Sequence, residues 1–251
     1  MSGAACTGTA HQAPGYAVQT PLKTYMHRSS DPLTACVLVL PLLMLYNAGL
    51  VLTEWGALNG ADFITRSIVE HLGHAGFLAF QALLGIGFLL ALFHLRRRQQ
   101  LKLGDYIPLL GESLLYAATM GTVILHIMNR SDVLAVGAQA APAWLRMLTI
   151  SAGAGVHEEL VFRLLLIPAL LFFLRRTAGM SMGAAAVVAV TLSSLGFALA
   201  HYVGPEAFSP FTFAYRTMAG LWFATLFLFR GFAVAVYTHC LYDVYVLGFH
   251  A

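Results

Sequence analysis

Charge is scarce in this sequence. Only 10% of its 251 residues are Asp, Glu, Lys or Arg, and 59% are hydrophobic. A soluble domain of this length needs about a quarter of its residues charged, so a water-exposed globular chain is excluded. The net charge of +3 gives no basis for binding nucleic acid. Cysteine is nearly absent too. Cys6, Cys36 and Cys240 are too few and too scattered for a disulfide framework or a cysteine-based zinc site. No HExxH helix pairs two histidines with a base, and no internal repeat of the transporter kind is present. No short apolar core with a small-residue cleavage site precedes the first long run, which argues against a cleaved signal peptide.

What the sequence has is long apolar runs. Mean hydropathy is +0.76, and a bilayer core is spanned by about 20 residues of helix. Such runs lie at 32–52, 75–95, 107–128, 145–174, 182–203, 209–229 and 232–249. The expected fold is all-α: a polytopic transmembrane bundle of about seven spans around an internal polar cavity. Residues 1–31 form a polar N-terminal segment and 32–140 the N-terminal transmembrane helices. Near 61–73, Asp62, Arg66 and Glu70 fall four apart, with Phe63, Ile64, Ile68, Val69 and Leu72 towards another face. That pattern predicts a short interfacial helix, read first as an amphipathic connector.

Orientation follows from the basic residues. With alternating spans, Lys23, Arg28, Arg96, Arg97, Arg98, Lys102, Arg175, Arg176 and Arg230 flank one side, and only Arg66, Arg130 and Arg146 the other. The positive-inside rule then places the N-terminus in the cytoplasm and the C-terminus outside; a bacterial inner membrane is the expected location. Arg163 and Arg216 fall within spans and do not enter that tally.

The most expensive residues sit in the stretch GAGVHEELVFRLLLI, residues 153–167. A charge at mid-bilayer costs about 2.5–3.5 kcal/mol on insertion scales, so such residues face a protein-lined cavity and are candidates for function. Glu159 and Arg163 are four apart on one helical face, whereas Glu158 is displaced by about 100° from that pair. A carboxylate outside a local ion pair suits a general base. Two later stretches hold candidate partners. FALAH sets Phe197 and His201 on one face, and HCLYD does the same for His239 and Asp243.

In order, EELVFR, FALAH and HCLYD resemble the EExxxR, FxxxH and HxxxN/D motifs of the CPBP intramembrane proteases. That family includes the Ras-converting CAAX endopeptidase and bacterial proteins linked to bacteriocin processing or self-immunity. The resemblance covers roughly residue 145 to the C-terminus and implies that 141–251 is the catalytic core. It implies a metal-independent glutamic protease without cofactor, acting on a membrane-anchored protein or peptide in the bilayer. Under it Glu158 and His201 activate water, His239 and Asp243 stabilise the oxyanion, and Glu159, Arg163 and Phe197 support the site. Two positions depart from the pattern. Leu164 stands where many members have Gly, and Asp243 where the best-studied members have Asn. An ionised carboxylate cannot donate to an oxyanion, so Asp243 is either protonated or orients and charges His239, the role favoured here.

Three other readings stand beside this one. Glu158, His201 and His239 could bind zinc. Ser193 or Ser194 could be a nucleophile, although His201 lies two turns away on the same helix. The polar network could equally serve a non-catalytic scaffold, immunity factor or transporter.

Overall fold

The computed structural model describes residues 25–26, 30–53, 63–97, 103–128, 144–203 and 206–249. Nearly all of the polar segment 1–31, Cys6, Asp62 and the flanking residues Lys23, Arg28, Arg98, Lys102 and Arg130 lie outside the described residues, as do the side chains of Phe63 and Ile64. The described chain is helical without strands. Its helices are α1 (Pro32–Leu52), α2 (Phe63–Arg97), α3 (Tyr106–Ile127), α4 (Trp144–Glu159), α5 (Ile167–Thr177), α6 (Met182–Ala200), α7 (Pro210–Arg230) and α8 (Phe232–Phe249). A wider, π-type segment, Leu160–Leu166, joins α4 to α5, so the two run as one interrupted span.

Local chemistry sets the ends. The Asp31 side chain accepts from the Thr34 backbone N–H at 2.9 Å and Pro32 opens α1, a favoured start because proline lacks a donor that would be orphaned there anyway. Ser181 caps α6 and Ser209 caps α7 in the same way. Pro168, at the start of α5, has no N–H to return to the carbonyl four residues back. The helix before it is the one that widens. In α2 the backbone breaks at Gly73 (φ 67°, ψ 179°), a conformation that L side chains avoid, so the stretch ahead of it is set at an angle to the span that follows. Arg66 and Glu70 pair at 3.3 Å on its exposed side.

Among the described residues, four helices are long and apolar enough to cross a membrane: Leu33–Leu52, Thr65–His94, Tyr106–Ile127 and Met182–Ala200. Thr65–His94 settles the solvent question, because only 11% of its most apolar window is buried within the protein. Leu83, Leu90 and Phe93 point outward at 69, 66 and 57% exposure. Such a face is stable against lipid and not against water. The protein is an integral membrane protein.

Small residues bring the remaining helices together. α4 packs along α8 and α6 along α7. A Cβ on Gly155 would lie 2.9 Å from the Val236 carbonyl oxygen of α8, and one on Gly220 would lie 3.0 Å from Ser194 of α6. Both glycines are therefore needed for close helix approach.

One flank residue is misplaced by sequence reading. Arg230 counts there as an anchor at the membrane surface, but it is 8% exposed. It pairs with Glu112 of α3 through two guanidinium nitrogens, one at 2.7 Å. Tyr25 donates to the same carboxylate at 2.9 Å, and burial, with that carboxylate beside it, pushes the Tyr25 hydroxyl pKa up so that it remains a donor. Glu112 lies about 9 Å along α3 from its start, at 1.5 Å per residue. α8 thus begins inside the bundle. His239, about 14 Å further on, then reaches a depth of about 23 Å, close to the ~25 Å that separates Glu158 from Arg175 by the same rise.

Candidate active site

The charged residues of the stretch 153–167 converge with side chains from α6 and α8. Glu158, Glu159 and Arg163 are all 2% exposed or less, and they come from the end of α4 and the π-type segment. His201 caps the C-terminal end of α6, while His239 and Asp243 stand one turn apart on α8. One carboxylate oxygen of Glu158, Oε2, lies 4.0 Å from His201 Nε2 and 3.9 Å from His239 Nε2. Two imidazole nitrogens from different helices thus face a single oxygen, at separations that a bridging water or a reacting atom suits.

Hydrogen bonds fix both rings. His201 Nδ1 lies 2.9 Å from the Phe197 carbonyl oxygen. A carbonyl only accepts, so Nδ1 carries the proton and the Nε2 of a neutral His201 presents a lone pair towards Glu158. His239 Nδ1 is 2.8 Å from Glu159 Oε1, and its ring stacks on Phe223 with centroids 4.4 Å apart and planes 16° apart.

Glu159 therefore has two tasks. Its Oε2 pairs with Arg163 Nε at 3.1 Å, as the four-residue spacing predicts, while Oε1 holds His239 across the helix interface. Sequence reading favours Asp243 as the group that orients and charges His239. In the structure Glu159 makes the bond to Nδ1, and Asp243 Oδ2 stands 3.7 Å from the other ring nitrogen, Nε2. Arg163 is fully enclosed. Its Nη2 donates to the Gly220 carbonyl at 3.2 Å, and its guanidinium carbon lies 4.4 Å from the Phe197 ring centroid. Phe197 thus braces the arginine with its ring and His201 with its carbonyl.

A cavity of about 240 Å³ opens beside this cluster, lined in part by His201, His239 and Asp243. Its other walls include Phe197, Phe223, Tyr215, Tyr242 and Arg216. The Tyr215 and Tyr242 hydroxyls are hydrogen-bonded to each other. Sequence reading missed Phe223, Tyr215 and Tyr242. Tyr242 follows His239 by three residues, a same-face spacing that could have flagged it. Phe223 and Tyr215 are aromatics in an apolar helix and carry no such signal.

Ser193 and Ser194 are both hydrogen-bonded to backbone carbonyls. Ser193 Oγ donates to the Phe162 carbonyl at 2.6 Å, inside the π-type segment where α-type pairing is lost, and Ser194 Oγ donates to Val190 O at 2.8 Å. Ser193→Ala should leave that buried carbonyl without its donor and cost about 1–3 kcal/mol. The catalytic rate of the folded fraction should be kept. A thermal melt and a rate measured on one preparation check both, and abolished turnover in a stably folded protein would restore the nucleophile reading.

Among the described residues, no three His, Cys, Asp or Glu side chains form a group that could hold a metal ion. No curated protein and no solved structure matches the chain. Residues 139–245 match the family model described as Rce1-like, type II CAAX prenyl endopeptidase Rce1-like. That segment contains the whole Glu158, Glu159, Arg163, Phe197, His201, His239 and Asp243 cluster, and over it this membrane protein is similar to the Rce1-like CAAX prenyl endopeptidases.

Proposed function

We propose that the protein is an intramembrane endopeptidase of the glutamic type, with residues 141–251 as its catalytic core. The observation that carries this reading is the convergence of His201 Nε2 and His239 Nε2 on one Glu158 oxygen beside an internal cavity. A water that hydrogen-bonds to the His201 Nε2 lone pair gives one proton to Glu158 as its oxygen attacks the substrate carbonyl. His239 carries protons on both nitrogens, gives one to Glu159 as a hydrogen bond, and donates the other from Nε2 to the developing oxyanion. Asp243 adds negative charge beside Nε2 and so favours that second proton. Glu158 then returns its proton to the leaving amine, leaving one carboxylic acid and one amine. No metal takes part in this scheme. Purified enzyme should keep its rate in EDTA and hold no stoichiometric zinc; a rate lost to EDTA and restored by zinc would replace it with the metalloprotease reading.

The substrate in this reading is a membrane-anchored protein or peptide, the class that the family description implies. With the N-terminus cytoplasmic in a bacterial inner membrane, the cluster lies in the outer leaflet, far from Arg175 and Arg176, and cleavage falls near the extracytoplasmic boundary. A prenylated protein at the cytoplasmic face would require the opposite orientation. A cysteine placed at Phe208, which is 62% exposed at the cavity end, should react with an impermeant maleimide in intact cells. Labelling only after lysis would reverse the orientation. The function itself is tested by purifying the Glu158→Gln protein with its trapped substrate and sequencing the new end that the wild-type protein makes from it. A captured peptide that the wild-type protein leaves whole would favour a scaffold or transporter.

A further inference from the structure

Among the described residues, Arg216 is the one arginine or lysine that lines the cavity holding His201 and His239. It is an in-span arginine that the catalytic scheme does not use. Most of the other lining side chains are apolar or aromatic. Its side chain is 24% exposed, and it is already engaged by a carboxylate. Nη1 and Nη2 of Arg216 donate to Oε1 and Oε2 of Glu206 at 2.8 and 2.9 Å, the parallel two-bond geometry that guanidinium groups make with carboxylates. The face of Tyr202 lies 5.4 Å from the guanidinium carbon and steadies its plane. Glu206 itself is 42% exposed, stands on the non-helical stretch before α7, and lies outside the cavity lining. An exposed pair of this kind adds about 0–1 kcal/mol to stability, so Glu206 can be displaced at little cost.

From these contacts we infer that Arg216 binds a carboxylate of the substrate at the cavity mouth, and that Glu206 occupies its guanidinium until the substrate arrives. This inference deepens the protease reading and rests on it. It assigns the substrate an apolar segment that fills the cavity, ending at or next to a carboxylate. The carboxylate has two sources, the free end of a peptide chain and an acidic side chain. Arg216 is thus a specificity residue of the substrate-binding cavity and takes no part in bond cleavage.

The test uses a random library of octanoylated decapeptides, made both with a free C-terminal acid and with a C-terminal amide. The full-length protein in lipid nanodiscs captures peptides, which are counted by mass spectrometry. Capture is read in the Glu158→Gln background, so it does not depend on hydrolysis; cleavage of the captured peptides by the wild-type protein is scored separately and bears on the protease reading alone. Charge-assisted bonds predict that Arg216→Gln lowers capture of carboxylate-bearing peptides about ten- to hundredfold and leaves capture of wholly neutral ones unchanged. Removing the competitor with Glu206→Gln should raise capture of the same peptides about two- to fivefold. If acids are preferred over amides, the chain terminus is the source; if Glu- and Asp-containing amides are retained equally well, the side chain is. Both results support the inference. Two equally impaired variants would mark the pair as purely structural and overturn it, as would neutral peptides captured as well as acidic ones, or no capture at all.

Discussion

Glu159→Gln should be the most damaging single substitution to the fold. The carboxylate is fully enclosed and serves Arg163 and His239 at once, at 3.1 and 2.8 Å. Glutamine keeps the volume but strands a buried guanidinium, and leaving one partner of a buried ion pair uncompensated costs about 3–5 kcal/mol. A second defect follows from the bond across to α8. His239 loses the acceptor that fixes its ring, so folded protein that survives should also cleave slowly. The charge-reversed pair Glu159→Arg with Arg163→Glu can restore attraction within the helix and recover part of the yield. It places a cation against His239 and should not recover activity. Melting temperature and rate, measured for the single and double variants in the same lipid, separate the two effects.

Glu158→Gln should do the reverse. Glu158 neighbours His201 and His239 at about 4 Å and is not a member of the close Glu159–Arg163 pair. Losing a general base typically costs about 100-fold or more in rate. The amide fills the same space and can still hydrogen-bond, so the protein should fold and bind substrate. No change at Arg163 should rescue it, because Arg163 braces Glu159 and not the water.

Much of this site is legible in the sequence, and for one reason. In an apolar chain each charge is conspicuous, and helical spacing sorts the charges into faces. Glu159–Arg163, Phe197–His201 and His239–Asp243 all rest on a four-residue interval, and the structure keeps the members of each pair close. What spacing cannot show is contact between helices. The bond from Glu159 to His239 joins residues eighty positions apart, and no spacing within one helix points to it. Arg230 reads as a surface anchor for a similar reason, since its partner Glu112 lies on another helix. The widening at Leu160–Leu166 has a local cause in Pro168, but it also draws on Ser193 of α6, which donates to Phe162 O. An ideal 100° wheel passes over that segment without registering it.

The most direct test of the account is the comparison of the two adjacent glutamates on one captured peptide, in one lipid, with single-turnover cleavage rate and melting temperature read together. The account predicts that Glu158→Gln melts like the wild-type protein and cleaves ~100-fold or more slowly, while Glu159→Gln is displaced mainly in melting temperature. A Glu158→Gln protein that cleaves at the wild-type rate, beside a Glu159→Gln protein that is stable and inactive, would contradict it and move the base to Glu159.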